Sequence, residues 1–308
     1  MFGINLNVGL ISRLFVVACY LLIVPALNGY AQQKPVAEIP FELDGASIIL
    51  KVKINSYPRV LRLLFDTGAD GMALSKSLAD SIGLKITSQK QASVVGGSLE
   101  ISISRGNSVF LDSFELKNQS IAVFENMSRE ADGIIGNRMA AQYITQVNFD
   151  SKKLSLYNFS DYEYPKEGAI IPFKYSGVFM LPGTLSVTPG KTYSGNFVFD
   201  TGANYELICF RPFVRQNRLL VDGFKPQSQG STTSMGVTVP SFTGKAQSFS
   251  FSGLPEIKNL NVTLTGGGGA ADQWNPNADG SIGIKMISQF NFSINVPKRE
   301  IHLVPRKP

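Results

Sequence analysis

The tetrapeptide Asp-Thr-Gly-Ala occurs twice in this chain of 308 residues, each time at the end of an apolar run. The first copy closes Leu63-Leu64-Phe65-Asp66-Thr67-Gly68-Ala69, the second Phe197-Val198-Phe199-Asp200-Thr201-Gly202-Ala203. Each is followed by Asp-Gly-x-Ile-Gly, as Asp132-Gly133-Ile134-Ile135-Gly136 and Asp279-Gly280-Ser281-Ile282-Gly283. One aspartate at a strand-to-turn corner carries little information. Two in matching contexts point to two lobes that each bring one carboxylate to a shared site.

Two carboxylates held about one hydrogen bond apart do not both ionise near neutrality, because like charges repel at short range. One keeps its proton, the other remains a base, and the pair titrates as a unit. A water between them loses a proton to the charged member as it attacks a carbonyl, and the neutral member protonates the carbonyl oxygen. Such a pair hydrolyses an amide with no metal, cofactor or covalent intermediate. Asp66 and Asp200 are therefore the candidate catalytic residues. Thr67 and Thr201 carry hydroxyls suited to bonding across a lobe interface. Gly68 and Gly202 allow another backbone to approach closely. The apolar run before each aspartate supplies a rigid support. The apolar residues of each Asp-Gly-x-Ile-Gly are expected to pack behind the corner, and Ile134 and Ile282 are also expected to line the cleft.

Elimination supports carboxylate chemistry. His302 is the only histidine, so a Ser-His-Asp or Cys-His arrangement has one candidate imidazole. It falls in the repeat position of Ser155, which predicts a structural role. With one histidine and two cysteines, a zinc site of clustered His and Cys is excluded by count. There is no GxxxxGK[ST] phosphate loop. The net charge is +6, but the basic residues are scattered. No nucleic-acid partner is expected.

The N-terminus reads as a separate object. Arg13 is the only charged residue before Lys34, an apolar run from Leu14 to Leu27 follows it, and Gly29-Tyr30-Ala31 offers small residues. This predicts a secretory signal over residues 1–31, leaving Gln32 first, with no membrane span after cleavage. The run is shorter than the roughly 20 residues of a spanning helix. A bacterial protein in the periplasm, in the cell envelope or secreted is expected. Cleavage leaves Cys209 as the one cysteine, read as a buried small hydrophobe.

The rest reads as two copies of one unit. Asp66 to Asp200 is 134 residues and Gly136 to Gly283 is 147. Asn148 and Asn295 each lie 12 residues beyond the second motif's final glycine, and each opens a strand-turn-strand pattern. Upstream, Ile39-Pro40-Phe41 pairs with Ile171-Pro172-Phe173. The expected organisation is an N-terminal lobe over 32–158, a charged linker over 159–168 and a C-terminal lobe over 169–308. Alternating and β-branched runs such as 47–54, 99–104 and 259–264 predict strands. Ser75 as N-cap, Leu78 and Ile82 at i, i+4, and Gly83 as stop predict one short helix. The Gly266–Gly269 run and Trp274 predict a surface insertion of the second half.

These paired motifs resemble the pepsin-like and retropepsin-like aspartic proteases, and Asp66-Thr67-Gly68-Ala69-Asp70 resembles the retroviral form. The resemblance implies a mostly β, bilobal fold of two related barrel-like lobes with a cleft between them. It implies Asp66 and Asp200 as the catalytic dyad, supported by Thr67, Gly68, Thr201 and Gly202. It places Ala69, Asp70, Ala203 and Asn204 at the substrate. It also implies flexible hairpins over the cleft: Val95, Gly96 and Gly97 in the first half, Met235 and Gly236 in the second. The flap tyrosine of pepsins is missing from residues 91–103. Where pepsins carry Ser or Thr after the motif glycine, this chain has Ala69 and Ala203. The missing hydroxyls predict an optimum in mildly acidic to near-neutral buffer. The implied activity is that of a monomeric aspartic endopeptidase acting on peptide or protein substrates. The alternative is a catalytically silent peptide-binding protein on the same fold.

Overall fold

The computed structural model describes residues 34–94, 97–127, 131–234, 237–267 and 278–307. The predicted signal and the tips of both predicted flaps (Val95, Gly96, Met235, Gly236) lie outside them. So does most of the predicted insertion.

Residues from Pro35 onward form one compact unit. Its first half contains β1 (Ala37–Asp44), β2 (Ser47–Ile54), β3 (Leu61–Phe65), β4 (Met72–Ser75), β5 (Ile86–Val94), β6 (Gly97–Leu111), β7 (Phe114–Phe124), β8 (Gly133–Ile135), β9 (Ile144–Asn148) and β10 (Lys153–Tyr157). Six of these strands close on themselves in the order β2-β3-β8-β4-β7-β6, with β6 returning to pair with β2. The pairs β3–β8 and β4–β7 are parallel and the others antiparallel. Strand β8 thus inserts between β3 and β4, the two strands that flank the first Asp-Thr-Gly corner.

The second half contains β11 (Ala169–Pro172), β12 (Lys174–Tyr175), β13 (Phe179–Thr188), β14 (Lys191–Asp200), β15 (Leu207–Cys209), β16 (Pro226–Ser234), β17 (Val237–Ser250), β18 (Ile257–Thr265), β19 (Gly280–Gly283), β20 (Phe290–Asn295) and β21 (Glu300–Pro305). A second closed ring runs β13-β14-β19-β15-β18-β17. Its parallel pairs, β14–β19 and β15–β18, stand at the same places in the order. Strand β19 inserts between β14 and β15 as β8 does between β3 and β4. Closure leaves few free strand edges, which suits antiparallel sheets whose inner faces are apolar.

A further sheet, β1-β10-β9-β20-β21-β11, draws three strands from each half and joins them at β9–β20. Its two flanks match in register: Ile39 stands opposite Leu154, and Ile171 opposite Ile301. The turns within it match as well. Asn148 Oδ1 accepts the backbone N–H groups of Asp150 and Ser151, and Asn295 Oδ1 accepts that of Lys298. An asparagine side chain that mimics a backbone turn explains why both halves place Asn there.

The core follows the alternation. Strand β3 buries Leu61, Leu63, Leu64 and Phe65 while Arg62 faces out. A chain of aromatic contacts runs Phe41–Phe149–Phe292–Phe199 across the shared sheet, with ring centroids 6.0, 6.3 and 5.0 Å apart. Phe199 immediately precedes Asp200, so this aromatic column supports the second corner. Segment 159–168 is docked on the sheet. Tyr162 is buried, with its hydroxyl 2.5 Å from Ser293 Oγ, and the Tyr164 hydroxyl donates to Glu300.

The predicted short helix is α1 (Lys76–Ile82): Ser75 Oγ accepts from Leu78 N–H, and Gly83 takes a left-handed conformation at φ 76°. Helices α2 (Arg211–Gln216) and α3 (Ile284–Ile287) follow β15 and β19.

Candidate functional site

Each Asp-Thr-Gly corner is fixed by its own half before it meets the other. Asp66 N–H donates to Ile135 O, and Ala69 O accepts from Asn137 N–H. In the second half Ala203 O accepts from Ile284 N–H at 2.8 Å. The final glycine of each Asp-Gly-x-Ile-Gly lies directly behind its corner. A Cβ on Gly136 would overlap Ala69 O and Gly71 O, and one on Gly283 would overlap Tyr205 O and stand 2.8 Å from Ala203 O. Only glycine permits that approach.

The aspartates that open these motifs hold the strands. Asp132 Oδ2 accepts Arg62 N–H at 2.8 Å, and Asp279 Oδ2 accepts Asn196 N–H at 2.7 Å. The two bonds are equivalents, and they give Asp132 and Asp279 a structural role.

The two corners meet through their threonines. Thr67 N–H donates to Thr201 Oγ1 and Thr201 N–H to Thr67 Oγ1, both at 3.0 Å. Thr67 Oγ1 donates to Phe199 O at 2.5 Å, and Thr201 Oγ1 to Phe65 O at 2.7 Å. Both threonines are fully buried. Four hydrogen bonds thus cross between the halves with donors and acceptors matched, as buried polar groups require.

The carboxylates are crossed as well. Asp66 Oδ1 accepts Gly68 N–H at 2.9 Å, and Asp200 Oδ1 accepts Gly202 N–H at 3.0 Å. Each carboxylate then lies against the glycine of the opposite motif. A Cβ on Gly68 would stand 2.5 Å from Asp200 Cγ, and one on Gly202 would overlap the Asp66 carboxylate. Asp66 is 4% exposed, whereas Asp200 is half-buried. Each acid thus sits at a corner walled by the glycine of the opposite motif.

Ala69 and Ala203 are half-buried; Asp70 and Asn204 are exposed. Asp70 lies beside Gly177 of the second half, where a Cβ would stand 3.8 Å from Asp70 Cβ. The Tyr175 hydroxyl is held above its ordinary range by burial and by the Asp70 charge. Gly97, the described residue of the first predicted flap, opens β6 opposite Val94 at the end of the β5–β6 pairing. In the second half, Ser234 pairs with Val237 at the end of the β16–β17 pairing. Ala92 and Leu99 of the first hairpin, and Ala69 of the first corner, are partly buried and pack against the same apolar cluster, which includes Ile134. Ile282 departs from expectation: it is fully buried in the main core and does not line a cleft.

Two contributors escaped the sequence reading. Asn137, 1% exposed, donates from Nδ2 to Gly177 O at 2.8 Å and Thr67 O at 3.3 Å, so one amide ties the first corner to the second half. Its signal was a polar residue directly after the Gly136 motif. Ser281 Oγ lies 3.4 Å from Asp200 Oδ2 and 3.4 Å from Val198 O. Its signal was a hydroxyl at a position that is Ile134 in the first half.

The remaining nucleophile and base candidates lie elsewhere. Cys209 is fully buried in β15, and burial pushes its thiol up, which suits the small-hydrophobe reading. His302 is 3% exposed on β21, beside the ring of Tyr164, and bonds the Glu167 backbone. Among the described residues, no group of three or more His, Cys, Asp or Glu is placed to hold a metal ion, and no helix is long and apolar enough to cross a membrane.

Residues 50–139 match a family model described as aspartyl protease. The match spans β2 to β8 and includes the first corner with Asp66 and the Gly136 motif. It covers less than a third of the chain, and the second corner lies beyond it. No curated protein matches the chain.

Proposed function

We propose that the protein is an aspartic endopeptidase of the pepsin and retropepsin type, in which Asp66 and Asp200 activate a water against a peptide bond. The observation that carries this reading is the crossed arrangement of the corners. Each threonine hydroxyl bonds into the opposite motif, and each carboxylate rests on the opposite glycine. A structural duplication alone does not require two acids to share one pocket, because the repulsion between them costs stability. The match of the first half to the aspartyl-protease model supports the same reading.

Thr67 and Thr201 serve as the clasp that keeps the acids in register. Gly68 and Gly202 leave room for the substrate backbone. Ala69, Asp70, Ala203 and Asn204 flank the bound peptide. The β5–β6 and β16–β17 turns, with Val95, Gly96, Gly97, Met235 and Gly236, close over it and exclude water. The halves over 32–158 and 169–308 act as two lobes of one duplicated unit. The protein works as a monomer, exported behind a signal over residues 1–31, in the periplasm, in the envelope or outside the cell.

The test is cleavage of a mixed peptide library by the purified protein, from strongly acidic to mildly alkaline buffer. Cuts within extended peptides, with an optimum in mildly acidic to near-neutral buffer, are expected. Pepstatin inhibition would add support. No cleavage by a well-folded protein at any of these values would overturn the reading.

A further inference from the structure

We propose that the substrate is an extended peptide segment of alternating character, with apolar side chains set against the first half and hydrogen-bonding ones (Ser, Thr, Asn or Gln) against the second. The inference rests on the protease reading above and names the class of peptide that the site takes.

Each closed ring of strands has an inner and an outer face. On β3, Leu63 and Phe65 belong to the main core, while Leu64 belongs to a separate apolar cluster. Side chains alternate along an extended strand, so Leu64 shares its face with Asp66, two residues on. On β14, Phe197 and Phe199 belong to the main core. Val198 belongs to a different cluster and shares its face with Asp200.

Strand pairing carries each acid-bearing face across its ring. In the first half the register runs Leu64, Ile134, Ala73, Ala122, Ile103 over β3, β8, β4, β7 and β6. In the second it runs Val198, Ser281, Ile208, Thr263, Thr243 over β14, β19, β15, β18 and β17. The two rows are counterparts strand for strand. The first is apolar throughout. The second sets hydroxyls where the first has Ile134, Ala122 and Ile103. The difference continues one step outward on the last two strands. There the first face has Ile101 and Phe124, and the second has Ser241 paired with Thr265.

The hydroxyl row keeps bonding capacity for a ligand. Thr243 Oγ1 and Thr263 Oγ1 lie 3.0 Å apart. Each hydroxyl has one proton and two lone pairs, so their mutual bond uses one proton of the two. Both threonines are half-buried, which leaves this end of the row partly open. An apolar side chain laid there would displace water from the hydroxyls and return no bond, whereas an amide or hydroxyl would replace it. On the first row the preference reverses, because a polar side chain would meet only carbon.

A peptide held extended between the halves points successive side chains to opposite sides. One set meets the first row and the alternate set meets the second. The two residues that flank the cut therefore fall to opposite halves, one apolar and one hydrogen-bonding.

The test uses pairs of peptides of equal composition. In one, apolar and hydrogen-bonding residues alternate through the cut site; in the other, they are segregated into blocks. The alternating peptide is expected to show a kcat/KM at least about tenfold higher. Thr243→Val combined with Thr263→Val keeps the side-chain shape and removes the hydroxyls without touching the acids. In that protein the hydrogen-bonding positions should swing toward apolar residues by about tenfold, while the apolar positions keep their preference. Thr263→Ala, which copies Ala122, replaces the double variant if that fails to fold. Equal cleavage of the two peptides, or an unchanged preference in a folded variant, would overturn the proposal. If the wild type cuts neither peptide, the binding of both decides. Tighter binding of the alternating peptide, lost in the valine variant, would support the assignment of the two faces and remove the protease reading. Equal binding would remove both.

Discussion

Thr67 and Thr201 each accept the other's backbone N–H and each donate their hydroxyl to the carbonyl that precedes the other's aspartate. The pair lies 134 residues apart in sequence and fully buried in space. Position of the two carboxylates is thus set by four bonds that neither half can make alone. Removing one hydroxyl leaves a carbonyl and an N–H without partners in the core. Thr67→Val and Thr201→Val should each destabilise the fold by about 1–3 kcal/mol. The double variant should cost less than the sum, because the second change removes partners already lost. Denaturant titration of the four proteins measures this coupling, and strict additivity would contradict a reciprocal clasp.

Gly68 and Gly202 should be as intolerant of a methyl group as the aspartates are of replacement. Each faces the opposite carboxylate, and neither needs an unusual φ. The cost is therefore one of space. Gly68→Ala and Gly202→Ala are expected to displace the opposite acid and lower kcat/KM by about 10²-fold or more. The fold should lose about 1–3 kcal/mol from overpacking. Kinetics and thermal melts on the same samples separate the two effects, and an active, folded Gly202→Ala enzyme would count against the crossed geometry.

Asn137 offers a probe of the contact between the halves that avoids the acids. Its amide serves Gly177 O and Thr67 O, while its Oδ1 is buried without a partner among the described residues. Asn137→Ala should destabilise by about 1–3 kcal/mol, the cost of unpaired buried carbonyls. Asn137→Asp should be worse, because it sets a carboxylate against two carbonyl oxygens. A denaturation series in which Asp is tolerated better than Ala would refute the bridging role.

His302 gives the fold a pH dependence of its own. Burial holds its imidazole below the ordinary value of 6.5, against the opposing pull of the Glu167 and Glu300 charges. Its Nδ1 finds no partner among the described residues. The unfolded chain therefore binds a proton as pH falls through about 6.5, while the folded chain resists it until lower pH. Stability from this residue is fully present above that window and declines within it as pH drops. Replacing His302 with Gln should flatten the stability profile across mildly acidic buffer. Parallel denaturant curves for wild type and the variant check this, and equal slopes would dismiss it.

Local features were the legible ones. Helix α1 was readable because Ser75 and Gly83 cap it with side-chain and backbone chemistry written into the sequence. The Asn148 and Asn295 turns were readable for the same reason. Both corners announced themselves by an apolar run, an acid and a glycine. The shared sheet was only half legible. Its strands were clear, but the β9–β20 junction joins residues about as far apart as Val147 and Phe292, and period-two alternation does not name a strand's partner. Segment 159–168 reads as a polar linker, yet Tyr162 is buried on that sheet, because a tyrosine can bury its ring while its hydroxyl finds Ser293. Ile282 was misplaced because an apolar residue beside a motif can face either the cleft or the core. Ser281 and Asn137 were visible only as irregularities. What they touch depends on register between strands and on the approach of the other half.

The central claim is that Asp66 and Asp200 act as one catalytic unit, and it is tested most directly by comparing wild type, Asp66→Asn and Asp200→Asn on the same peptide substrates. Each substitution keeps the shape of the side chain and removes its ability to ionise. If the acids work together, each variant should remain folded and lose about 10³-fold in kcat/KM, with no additional loss of that size in the double variant. A folded single variant that retains most of the wild-type rate would contradict the claim.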